Sequence, residues 1–371
     1  MLQLYSNELF LKDAAKIHKI IGIYFAYTYI FIIFAEKQET TDKEDSYQHD
    51  IIRQLRLPLI VLVTYAHSYG GVTEGYSVFG SGWDTYEVLK ILVSQTFVKV
   101  AMPTFFVMSG YLFFANVTQW NAQTYWQKIK RRIKSLLIPY IIWNLLMAVK
   151  LQTFSLNIFW TPANMPLWFL RDLMVVSLLT PIIYIGIKKF GWWIFVILLP
   201  LYSTGIWAIQ PDLNPYAICF FTVGAFLSIN KLNLIDTCRR FEMPAYLLSA
   251  AFGLAMILSY HTQLFPPLML CFRLVGVVAV FCLAYSILSN TTRRIPKTAS
   301  DASYFIYLSH YVLFFGFIDS AFFSLFGTST ASLCIHYLLC PLLKSAILIV
   351  IFYLYRNMLF PKNRQIRPKK S

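Results

Sequence analysis

An all-α integral membrane protein is the fold class that the sequence predicts: a bundle of about ten transmembrane helices, with one further short hydrophobic helix near the N terminus. Three observations predict it. Apolar residues make up 58% of the 371, well above the roughly 45–50% usual in soluble domains. Charged residues make up 13%, about half the soluble share. The apolar residues also fall into runs, separated by short segments in which Lys and Arg are alternately abundant and absent, as in successive membrane crossings. Such a chain cannot hide its apolar surface in one soluble core.

Residues 1–49 form an N-terminal extension. Its run from Ile20 to Ala35 has sixteen residues, fewer than the about 20 that cross a bilayer. Lys12, Lys16 and Lys19 precede it, and an acidic stretch from Glu36 to Asp50 follows. The run lacks the small-residue cleavage site of a signal peptide. It reads as an interfacial helix with a polar linker, or as an extension upstream of the true start.

Residues 50–355 form the membrane domain, with spans at 57–72, 88–115, 136–152, 166–187, 191–208, 215–229, 244–260, 267–289, 302–324 and 333–355. Residues 356–371 are a basic tail. The segments after spans two, four, six and eight hold Lys128, Lys130, Arg131, Arg132 and Lys134; Lys188 and Lys189; Lys231, Arg239 and Arg240; Arg293, Arg294 and Lys297. The intervening loops 73–87, 153–165, 209–214, 261–266 and 325–332 hold no Lys or Arg. The positive-inside rule makes the basic set and the C-terminal tail cytoplasmic. The net charge of +15 therefore serves orientation, anionic lipid and a phosphorylated substrate, not nucleic acid. The six cysteines show no CxxC spacing, so neither a metal site nor a disulfide is expected.

Eight ionisable residues fall inside spans: His67, Lys99, Arg171, Asp172, Arg273, His310, Asp319 and Lys344. Each costs a few kcal/mol against lipid, so they should turn inward to partners or water, as in a transporter or a membrane enzyme. Asp172 suits neutralisation of Arg171 or Arg273, and Lys344 suits a pair with Asp319. Arg56 and His67, eleven residues apart, share one helix face about 16 Å apart along the axis. Histidine is the side chain best able to exchange a proton near neutral pH.

Four stretches then carry a resemblance to the integral-membrane acyltransferase-3 family. They are Arg56-x10-His67; Pro103-Thr-Phe-Phe-Val-Met-Ser109-Gly110-Tyr111; the basic run Lys128–Lys134 leading to Pro139-Tyr140; and Pro166-Leu-Trp168-Phe169-Leu170 with Ser303-Tyr-Phe-Ile-Tyr307-Leu-Ser-His310. The resemblance covers residues 50–355. It implies an acyl donor, usually acetyl-CoA, arriving from the cytoplasm, and an acceptor hydroxyl on a lipid-linked or extracytoplasmic carbohydrate. It makes His67 the catalytic histidine and Arg56 its partner. Lys128, Lys130, Arg131, Arg132 and Lys134 become the acyl-CoA-binding candidates; the family's R-x-x-R element reads here as Arg131-x-x-Lys134 or as Lys128-x-x-Arg131, with lysine in place of one arginine. Ser109, Trp168, Arg171, Asp172, Arg273 and His310 are the further candidates for a polar cavity. The only donor expected is acyl-CoA as a substrate, with no bound cofactor. Membrane lipids and other polysaccharide-assembly proteins are the remaining partners. Some relatives carry a C-terminal esterase-like domain, which is not expected after span ten here. The alternative from another class is a multi-span transporter or flippase of a glycan, without acyl transfer.

Overall fold

The computed structural model describes residues 43–68, 85–153, 155–204, 216–260, 262–314 and 316–359, and every element among them is helical. The short hydrophobic run at 20–35 and most of the basic tail lie outside the described residues.

Helix α1, Lys43–Ala66, begins well before the predicted first span, because its polar residues find partners. Gln48 Nε2 donates to the Tyr111 hydroxyl at 2.8 Å, and Gln48 Oε1 accepts from the Leu234 N–H at 3.3 Å. Asp50 pairs with Arg53 and, at 3.3 Å, with Arg294. The Gln54 amide satisfies both the N–H and the C=O of Ile295.

Helix α2, Thr85–Phe114, includes a π-helical turn at Ile91–Thr96 and a 3-10 turn at Phe97–Val100. Helix α3, Ala122–Leu151, starts on Asn121, whose side chain accepts from the Thr124 N–H at 2.9 Å. The basic run was expected in a connecting segment; it lies instead within the first turns of α3. The Asn cap satisfies an end N–H, and buried Ile129 anchors the turn. Pro139 has no N–H to give the Ser135 carbonyl, and the Tyr304 hydroxyl takes that carbonyl.

The remaining helices are α4, Trp168–Leu178; α5, Thr180–Phe190; α6, Ile194–Thr204; α7, Tyr216–Ile229; α8, Leu234–Arg239; α9, Glu242–Leu258; α10, Phe265–Asn290; α11, Lys297–Phe314; α12, Phe317–Phe326; and α13, Thr330–Leu359. Among the described residues five helical stretches are long and apolar enough to cross a membrane, counting Thr180–Pro200, which runs from α5 into α6, as one; they are six if α11 and α12, bent by 64°, form one span. Helices Tyr216–Ile229 and Glu242–Leu258 are apolar but shorter. The chain is thus a multi-pass membrane protein, without the predicted count of ten being reproduced. Two predicted spans break in identifiable places. Span 302–324 bends at Gly316, whose φ of +77° favours glycine. Span 166–187 is interrupted at Leu179, two residues before Pro181.

Polar contacts sort the helices into two ends. At the basic end, the starts of α1, α3 and α11 meet the ends of α2, α10 and α13, through Gln48–Tyr111, Arg132–Ser109, Asp50–Arg294 and Asp301–Arg356. At the opposite end, Lys150 Nζ donates to the Val312 carbonyl at 2.7 Å and Tyr65 to the Leu338 carbonyl at 2.7 Å. Helices α2 and α7 cross with their backbones in contact. A Cβ on Gly110 would lie 2.0 Å from the Phe221 oxygen, and one on Gly224 would lie 2.0 Å from the Val107 oxygen. Helices α1 and α11 run side by side in the same direction, and this places the polar side chains described next.

Candidate functional site

The row Ser300–Asp301–Tyr304–Tyr307–His310 on α11 faces a succession of neighbours, since residues three apart drift about 60° around a helix. Ser300 Oγ donates to the Arg53 carbonyl at 2.7 Å. Asp301 pairs with Arg356 at 3.4 Å and is also the carboxylate whose charge acts on Arg56. Tyr307 donates to the Pro166 carbonyl. His310, 4% exposed, then meets α1. Arg56 forms no ion pair or hydrogen bond with the described residues, so its guanidinium keeps its donors for another group.

His67 follows the last turn of α1. Its ring centroid lies 5.5 Å from that of His310 at 45°, and 5.8 Å from that of Tyr311 at 73°. His310 Nδ1 lies 2.9 Å from the carbonyl oxygens of both Ile306 and Tyr307. Carbonyls only accept, so Nδ1 carries the proton and Nε2 keeps its lone pair. Nε2 is buried and has no hydrogen-bond partner among the described residues. An unsatisfied buried acceptor costs about 1–3 kcal/mol, and here it sits beside a second imidazole. The arrangement resembles a general base whose far nitrogen is held by a fixed oxygen.

The other candidates separate into distinct groups. Arg132 donates to Ser109 Oγ at 3.0 Å and, with Lys128, stands over the Phe113 ring at 5.5 and 5.3 Å. Lys130, Arg131 and Lys134 are exposed. The five cations are therefore two anchored to α2 and three open, because residues four apart share a helix face. Ser109 is an Arg132 partner, while Gly110 is a helix-packing notch. Arg171 grips Asp172 at 2.9 and 2.8 Å and donates to the Trp160 carbonyl at 2.6 Å. That pair reads as a structural clasp on the 155–167 segment. Trp168 packs edge-on to Tyr216 at 6.1 Å, and Arg273 stands over the same Tyr216 ring at 4.8 Å.

The expected Asp319–Lys344 pair is present, with Lys344 Nζ 2.7 and 2.9 Å from the two carboxylate oxygens. His336 Nε2 joins it at 2.7 Å. The metal-binding atoms of Asp319, His336 and Cys340 lie within 4.8 Å of one another. Lys344 already neutralises the carboxylate, so a cation there would have to displace it. Sequence reasoning missed Asp301, Tyr304, Tyr311 and His336. Asp301 fell just before the drawn start of span nine, although a lone acid beside the basic 293–297 segment was a usable signal.

Comparisons with known proteins match this arrangement to one family. The family described as "Acyltransferase domain" matches residues 50–354. The chain is similar to the succinoglycan biosynthesis protein ExoH of Rhizobium meliloti (strain 1021), at 25% identity over 295 residues, which are 71% of this chain and 77% of the relative. No solved structure matches. With the match running through all the helices that carry the histidine pair and the basic cluster, the chain belongs to the integral-membrane acyltransferase-3 family.

Proposed function

We propose that this membrane acyltransferase moves an acyl group, acetyl in the simplest case, from cytoplasmic acyl-CoA to a hydroxyl of a cell-envelope or lipid-linked polysaccharide. Family membership supports the chemistry. The similarity to a succinoglycan biosynthesis protein supports a polysaccharide acceptor. The observation that carries the site is the facing pair His67 and His310, with the His310 lone pair buried and without a partner among the described residues.

Transfer breaks the thioester C–S bond and the acceptor O–H bond, and forms an ester C–O bond and a thiol S–H. His67 takes the hydroxyl proton as the oxygen attacks the carbonyl carbon. His310 Nε2 offers that proton a second position before the departing thiolate collects it. The exposed Lys130, Arg131 and Lys134 meet the CoA phosphates, while Arg132 and Lys128 tie that turn to α2. Arg56, roughly 16 Å along α1 from His67, has its donors available for the donor's polar atoms. The positive-inside rule supports the basic end as cytoplasmic, in a bacterial inner membrane with the C terminus inside. Other proteins of polysaccharide assembly would supply and remove the acceptor.

The test uses the purified protein in lipid nanodiscs, with labelled acetyl-CoA and a membrane glycolipid fraction. His67→Ala and His310→Gln should each lower transfer by about 10²–10⁴-fold at unchanged thermal stability. Full transfer by both variants would refute the site. Glycan movement without labelled product in the parent would favour a transporter.

A further inference from the structure

Two cations at the meeting of α2 and α10, Lys99 and Arg273, have no acid of their own among the described residues. Lys99 sits on the 3-10 turn that follows the π-helical turn of α2. Its charge acts on His67, and the charge of Arg273 acts on it. Helices α2 and α10 meet at this level. A Cβ on Gly276, one turn beyond Arg273, would lie 2.5 Å from Val100 Cγ1, and Val100 is the neighbour of Lys99. Arg273 stands over the Tyr216 ring, and its buried Nε has no hydrogen-bond partner among the described residues. Asp172, whose charge also reaches Tyr216, is held by Arg171 through two contacts. No described carboxylate forms an ion pair with Lys99 or Arg273.

Two like charges at membrane depth repel each other and lose hydration. An anion between them removes both penalties. The π-helical turn is the kind of local defect that re-aims side chains at functional sites. Trp168 and Tyr216, edge to face, add an aromatic wall suited to a sugar ring.

We propose that Lys99 and Arg273 form an anion seat that holds a carboxylate or phosphate of the substrate next to His67, with Trp168 and Tyr216 alongside. The proposal rests on the reading of His67 as the transfer site. Two sources could bring the anion: a dicarboxylic acyl group, whose far carboxylate enters the seat, or an acidic or phosphorylated acceptor.

The experiment compares Lys99→Met and Arg273→Gln with the charge-retaining Lys99→Arg and Arg273→Lys, all as full-length protein in nanodiscs. Acetyl-CoA and succinyl-CoA are the donors, and the membrane glycolipid fraction is the acceptor. Removing a charge-assisted contact should raise the relevant KM by about 10-fold or more, with the charge-retaining variants recovering most of the loss. A rise confined to succinyl-CoA assigns the anion to the acyl group. A rise in the acceptor KM with both donors assigns it to the acceptor. Donor and acceptor KM values within about twofold of the parent in both neutral variants would overturn the seat, as would equal losses in charge-retaining and neutral variants. His67→Ala is run in parallel: full transfer there removes the His67 reading, whereas the KM comparison judges the seat itself.

Discussion

Consider removal of one partner of the Asp319–Lys344 pair. The ammonium touches both carboxylate oxygens at 2.7 and 2.9 Å, and the two side chains are 4% and 7% exposed. At an effective dielectric constant of about 20, unit charges 2.7 Å apart attract by roughly 6 kcal/mol. Desolvation of the two ions cancels most of that, so the intact pair contributes little net stability. Breaking it differs from replacing it. Asp319→Leu leaves a buried ammonium with no carboxylate beside it, which costs about 3–5 kcal/mol. The double variant Asp319→Leu/Lys344→Met should cost far less than the sum of the two single changes, giving a coupling energy of about 2 kcal/mol or more. Thermal unfolding of the four proteins in one detergent measures it. Additive single effects, with the double variant the least stable, would show that the pair is not the clasp holding α12 against α13.

Three further outcomes are expected. Gly110→Ala or Gly224→Ala forces a Cβ into a facing carbonyl 2.0 Å away, so either should separate α2 from α7 and lower folded yield in membranes sharply; a Tm within about 2 °C of the parent would contradict the crossing. Tyr304→Phe orphans the Ser135 carbonyl freed by Pro139 and should cost about 1–3 kcal/mol in thermal unfolding. Arg132→Gln should raise the KM for the proposed acetyl-CoA donor more than Arg131→Gln, because Arg132 positions the whole basic turn through Ser109 whereas Arg131 is one of three exposed cations, and direct comparison of the two KM values checks the order.

Much of the fold was legible. Long apolar runs and alternating loop charge predicted a helical multi-pass chain, and the broad limits of α2, α7, α9, α10 and α13 follow hydropathy. The beginnings of α1 and α3 were not legible, because polar and basic residues continue a helix when a cap or a partner such as Asn121 or Leu234 serves them. Hydropathy cannot see such partners. The Arg56-x10-His67 spacing pointed to one helix face, and two histidines in apolar runs pointed to proton chemistry. Their contact was hidden, since it depends on α1 and α11 lying side by side across more than two hundred residues of chain. The split of the five-cation run was accessible in principle from helical periodicity, but reading the run as a loop removed the reason to look. The seat at Lys99 and Arg273 depends on a π-helical turn and a glycine crossing, neither of which leaves a periodic trace.

The side-by-side placement of α1 and α11 also sets a schedule. Arg56 and His67 leave the ribosome early, whereas Asp301 and His310, which answer them, follow about 245 residues later. At roughly 5–20 residues per second, α1 waits about 12–50 s for its neighbour. During that interval the first helix carries an uncompensated guanidinium and imidazole. A stalled or truncated chain would present them to lipid or to quality-control proteases. The histidine pair closes only when α11 inserts, so the transfer centre is assembled late, after most of the bundle has already entered the membrane.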